Sequence, residues 1–215
     1  MKRSSQPNTL HTSIETEIAQ RAAFHEAGHA AAIYLENNRK NLPSLYFQIH
    51  IQKQTRLSST FSTQICGGRQ IDDLFLLHYD AEQKEEYTYQ TAYEADIVNF
   101  LAGSLAEAKY VALRDNEIFN INLLKPDALI NYGGRADLQE VKFYLEFFIP
   151  FPEKRITTLN ALFVEAFTFV DHFENWQTIS ALAKHILNSD EEYIRFEQVK
   201  EVLDKPYQYH DINCL

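Results

Sequence analysis

The 215-residue chain predicts a mainly α fold with a small β-hairpin or sheet and a C-terminal helical bundle. Three observations predict it. Apolar residues recur at intervals of three and four in separated stretches near 14–33, 97–108 and 159–186, which is the period of helices with one buried face. One short region, 44–66, alternates instead, as half-buried strands do. Glycine and proline number six each, a low content that suits a folded, largely helical chain. The length suits one domain, expected over residues 12–204, with a flexible lead-in at 1–11 and a tail at 205–215.

Thr12 and Glu15 have the capping-box spacing that opens a first helix, with Ile14, Ile18, Ala22, His25, His29 and Ile33 along its buried stripe. Asn37-Asn38 and Pro43 end it. Leu45, Phe47, Ile49 and Ile51 then alternate with polar residues, and a second β-rich run, Thr60 to Cys66, stops at Gly67-Gly68, so a hairpin is expected. Gly67-Gly68-Arg69 reads as a turn, because no lysine and hydroxyl follow in phosphate-loop spacing. Asp72 to Gln90 is polar around the apolar knot Leu74 to Leu77, and reads by default as a solvated charged face, with a helix or a flap over the cleft as the alternatives.

A second helix starts at Thr91, with Ile97, Leu101, Leu105 and Ala108 on one side. Ala102-Gly103-Ser104 in its middle is small. Glycine costs about 1 kcal/mol against alanine inside a helix, so its presence predicts close packing against another backbone, that of the first helix. Glu107 is expected to face solvent rather than reach the histidines as an outer partner. A loop over 115–132 with Pro126 leads to Gly133-Gly134, and a third helix follows with Leu138, Val141, Leu145 and Phe148 inward. Asp137 in its first turn reads, on the residues alone, as a cap or a dipole-favoured acid. Pro150 and Pro152 close that helix. Residues 153–187 give one long helix or two in tandem, with Trp176 and the phenylalanines as bundle core, and Phe196 to Leu203 a last short helix.

A net charge of -10 argues against nucleic acid or an anionic membrane surface as the main partner, since both require clustered Lys and Arg. Two cysteines, Cys66 and Cys214, have no CxxC pairing and indicate neither a disulfide framework nor a thiolate metal site. The N-terminus lacks the apolar run of a signal peptide, and no stretch approaches the roughly 20 apolar residues of a membrane span. A cytoplasmic, reduced location is expected.

The chemistry concentrates in Phe24-His25-Glu26-Ala27-Gly28-His29-Ala30. Histidines four apart on a helix project from one face and can grip one metal ion, with Glu26 beside them, the H-E-x-x-H signature of zincins. The plain alternative is two core-edge histidines bonded to backbone carbonyls. A metal gives otherwise costly polar groups on an apolar helix a reason to be there.

Three segments together resemble the peptidase domain of the FtsH family, the M41 ATP-dependent zinc proteases. They are the helix around His25, the stretch Phe100-Leu101-Ala102-Gly103-Ser104-Leu105-Ala106-Glu107-Ala108, and Gly133-Gly134-Arg135-Ala136-Asp137-Leu138-Gln139. The order matches, and the similarity extends over most of 20–204. The resemblance implies a zincin-like helical metallopeptidase domain, with its catalytic part in 12–150 and closing helices in 151–204. It implies that His25, His29 and Asp137 bind Zn2+ and that Glu26 is the general base, activating a zinc-bound water. A catalytic zinc with three protein ligands and one open position fits that division.

The sequence departs from the family in carrying no GxxxxGK[ST] motif, and Phe147-Phe148-Ile149-Pro150-Phe151 replaces the family's glycine-methionine region. The expected activity is therefore ATP-independent hydrolysis of peptide bonds in peptides or unfolded protein, with the strand near Ile49 presenting an extended substrate. A homo-oligomer or a protein partner remains open. The other readings are a non-catalytic zinc-binding adaptor or regulator of a protein partner, against which Glu26 argues, and a metal-free helical interaction protein.

Overall fold

The computed structural model describes residues 9–53, 61–69 and 86–205. Two long helices form its centre. Helix α1 runs Thr9–Arg39 and α2 runs Glu86–Arg114, and they make the most extensive contact between any two elements. Alanines Ala23, Ala27, Ala30 and Ala31 of α1 are fully buried, as are Ala102, Leu105 and Ala106 of α2. Such small side chains let the backbones approach: a Cβ on Gly28 would lie 2.6 Å from the Ala102 carbonyl oxygen and 3.1 Å from the Gly103 Cα. The close packing predicted from Ala102-Gly103-Ser104 is thus present, and α1 is the partner.

The first helix departs from its sequence reading in two ways. It is already helical at Thr9, so Thr12 lies inside it rather than at its cap, within the stretch read as a lead-in. Ile14 and Ile18 are exposed at 55% and 43%, because the inward face is the alanine side one position round. The helix is anchored there by Phe24, which stacks on Tyr110 of α2 at 4.4 Å and on Trp176 at 5.4 Å.

Strands β1 (Phe47–Gln52) and β2 (Ser62–Gly67) form the expected antiparallel hairpin, with Ile49 opposite Ile65. A third strand, β3 (Tyr193–Arg195), pairs antiparallel on the far side of β1, giving the order β2-β1-β3. This corrects the expectation for Ile49: it is fully buried in a central strand with both edges taken, so it cannot present a substrate. Among the described residues the outer strands of the sheet are β2 and β3.

Helix α3 (Arg135–Phe148) follows two 3-10 segments, Ile121–Leu123 and Pro126–Tyr132, in the region read as a loop. Helices α4 (Pro152–Asp171) and α5 (Phe173–Asn188) are two in tandem, broken at His172, and α6 (Phe196–Leu203) closes the described chain. Leu162, Phe163, Ala166, Ile179, Leu182 and Ile186 form the expected bundle core. No described helix is long and apolar enough to cross a membrane. Of the segment 72–90, only the start of α2 falls within the described residues, and the tail beyond Pro206 lies outside them.

Candidate metal centre

His25 and His29 lie one turn apart on α1 with ring centroids 4.7 Å apart. Both ring Nδ1 atoms are occupied from behind. His29 Nδ1 donates to the Asn99 carbonyl at 2.7 Å, and His25 Nδ1 to Glu107 Oε2 at 3.0 Å and the Tyr132 carbonyl at 3.1 Å. With the proton on Nδ1, each Nε2 lone pair is turned to the common centre.

Asp137 arrives from the other side. Gly133, in the left-handed conformation at φ 74°, ends the second 3-10 segment, and α3 starts immediately after with Asp137 in its first turn. The glycine is required twice over, since a Cβ there would also lie 2.9 Å from His25 Nδ1 and 3.0 Å from Glu107 Oε2. Asp137 Oδ2 is 3.2 Å from His25 Nε2, and Oδ1 is 3.5 Å from His29 Nε2. Ser104 of α2 reaches Oδ2 at 3.4 Å, so all three long central elements hold the group. One ligand atom from each of His25, His29 and Asp137 lies within 4.8 Å of the others.

Those spacings fit a tetrahedral metal. Two ligand atoms each about 2.1 Å from such an ion lie about 3.4 Å apart, and each of the two nitrogen–oxygen distances, one to each Asp137 oxygen, is close to that. Arg21 sets a guanidinium against Glu107 behind His25, while Asp137 faces both Nε2 atoms. In the metal-free state protons take the same place. Burial draws His25 down, but the carboxylates of Asp137 and Glu107 outweigh it and push the group up to about 10. His29 is likewise raised, the Asp137 charge prevailing over burial. Burial acts to raise Asp137, yet the two imidazoles hold it well below the usual carboxylate range.

Glu26 stands apart from the trio. Burial raises its pKa above the ordinary carboxylate value, against the pull of His29, His25 and the Ile65 amide. Its Oε2 accepts from the Ile65 N–H of β2 at 2.9 Å, so the outer edge of that strand abuts the site. Glu26, the trio, Ile65 and Phe100 line one cavity of about 390 Å³. Arg69 forms its far wall, its buried guanidinium paired with Asp96 at 3.2 Å and bonded to the Ala92 carbonyl at 2.9 Å.

His25, Glu26, His29 and Asp137, the four site residues singled out from the sequence, thus line one cavity. Glu107 corrects its expectation: it is 5% exposed and bonded to His25, because α2 approaches α1 closely enough at Gly103 to turn it inward rather than to solvent. Arg21 was not singled out. Its signal was available, a cation one helical turn before His25 on the same face.

No protein-family model, curated protein or solved structure matches the chain.

Proposed function

We propose that the chain is a zinc-dependent peptidase of the H-E-x-x-H kind, with a site similar to that of the FtsH-type (M41) peptidase domain, acting on peptides or unfolded segments. The observation that carries this reading is the delivery of Asp137 to 3.2 and 3.5 Å from the two inward Nε2 atoms, while Glu26 lines the same cavity as a carboxylate outside the ligand set. A structural site needs ligands but no base; here a base is present.

His25, His29 and Asp137 would hold a zinc ion, whose Lewis acidity lowers the pKa of water to about 7 and polarises a peptide carbonyl. Glu26 accepts the proton of the attacking water and returns it to the leaving amine nitrogen, as a general base and then a general acid. The Ile65 N–H fixes Oε2, which leaves Oε1 to take that proton. The outer edge of β2 offers backbone groups to an extended chain, which limits substrates to segments free to adopt a strand. None of these residues calls for a nucleotide.

The test is hydrolysis of a quenched unfolded protein by the zinc-loaded chain and by Glu26→Gln. Cleavage by the first and its loss by about 10²–10⁴ in the second, with zinc retained in both, is the expected result. Zinc bound by both with cleavage by neither would overturn the peptidase reading and leave a zinc-containing adaptor in its place.

A further inference from the structure

Behind the first histidine lies a fork that the proposed chemistry does not use. Arg21 precedes His25 by one turn of α1. Its Nε donates to Glu107 Oε1 at 2.7 Å, and its Nη2 donates to the Asn131 carbonyl at 3.0 Å. Glu107 spends its other oxygen on His25 Nδ1, which also meets the carbonyl of Tyr132, the residue after Asn131. One guanidinium thus ties the outer carboxylate on α2 to the backbone that runs, through Gly133, into the helix bearing Asp137.

We infer that Arg21 is a positioning residue for the metal: it fixes the Glu107 carboxylate against His25 and holds the 131–133 backbone in the place from which Asp137 is presented. This rests on the metal-site reading above. Glu107 is almost wholly buried, bonded to His25 on the side of the ring away from Asp137, and a buried carboxylate needs a counter-charge. Arg21 is the guanidinium that touches it. Planar donation from one guanidinium to two separate acceptors, Glu107 Oε1 and the Asn131 carbonyl, also sets direction, which an ammonium on a flexible stem does less well. With the fork gone, Glu107 is held to His25 by that one hydrogen bond alone, without its counter-charge and without its tie to the 131–133 backbone.

The experiment compares the full chain with Arg21→Gln, Arg21→Lys and Glu107→Gln. Zinc dissociation constants come from competition with a chromophoric chelator, and the Nδ1–H proton resonance of His25 is followed in nitrogen-labelled protein. Circular dichroism confirms folding, which a third-exposed side chain at Arg21 allows. Arg21→Gln should weaken zinc 10- to 100-fold, the range for outer partners of metal-bound histidines, as should Glu107→Gln. Arg21→Lys, which keeps the charge but not the planar fork, should recover only part of the loss, and the His25 resonance should shift in Arg21→Gln even before zinc is added. If Glu107→Gln weakens zinc while Arg21→Gln binds it as the unaltered chain does with the resonance unmoved, Arg21 is only a surface ion pair and the inference fails. If the unaltered chain itself takes up no zinc, the metal-site reading falls first, and this one with it.

Discussion

Gly103→Ala is the substitution that most sharply separates a demand of the site from a demand of the helix. A Cβ built on Gly103 would fall 2.2 Å from His29 Nε2, 2.4 Å from Cε1 and 2.5 Å from Cδ2. Ordinary contact begins at 3.4 Å, so the imidazole must retreat by about 1 Å. A metal ligand tolerates displacements of about 0.2 Å, so a shift five times larger removes His29 from the ligand set. Meanwhile the fold loses little. Alanine gains about 1 kcal/mol of helix propensity over glycine, set against about 1–3 kcal/mol for overpacking, leaving a net loss of about 0–2 kcal/mol. The variant should therefore unfold in urea close to the parent yet bind zinc at least about 100-fold more weakly in chelator competition, the upper end of what even outer-shell substitutions cost. Gly28→Ala provides the contrast. Its Cβ would strike the Ala102 carbonyl at 2.6 Å, which is backbone and cannot swing aside, so there the urea midpoint should fall. Gly103→Ala binding zinc within threefold of the parent would refute the claim that this glycine exists to seat the His29 ring.

Other outcomes follow from the same geometry. Asp137→Ala should abolish stoichiometric zinc, read by elemental analysis after gel filtration, because two histidines alone cannot complete the site. In metal-free protein, His25 is pushed up to about 10 from an ordinary value of 6.5, so its contribution to stability is fully present below pH 6.5 and is lost as the pH rises through about 10. Urea midpoints of the stripped chain should fall across that window, whereas zinc-loaded protein should fall less, since the metal then occupies the nitrogen that the proton would hold. Arg69→Leu should lower the urea midpoint, because it removes a guanidinium, 2% exposed, that pairs with buried Asp96 and bonds the Ala92 carbonyl.

The group His25, Glu26 and His29 was legible in the sequence because its parts are local, whereas Asp137 read on its residues alone as a cap and joined the site only through the family resemblance. His25, Glu26 and His29 share one turn and a fraction of α1, and Asp137 stands at a fixed offset from a glycine pair that can only be a turn before a helix. What failed was long-range. Glu107 is flanked by Ala106 and Ala108 and carries no local sign of which way it faces; only the close approach of α1 at Gly28 and Gly103 decides that. Ile49 showed its alternation but not its neighbours. Strand β3 is three residues long, too short for any period to register, and it exists because Ile194 packs fully buried opposite Ile49. Ile14 and Ile18 misled because spacing identifies a stripe without saying whether anything covers it.

The wide separation of the ligands along the chain has a consequence for how the molecule holds together. His25 and Asp137 are 112 positions apart, counting 137 less 25, and the helix bearing Asp137 is joined to α2 by a run of short 3-10 segments and turns. An ion shared between them acts as a cross-link closing a very long loop. The chain-entropy argument that assigns a 100-residue disulfide loop about 4.7 kcal/mol applies in kind. Such a clip would make the connection between α2 and α3 the first place for a protease to cut when a chelator is added, and the last when zinc is in place.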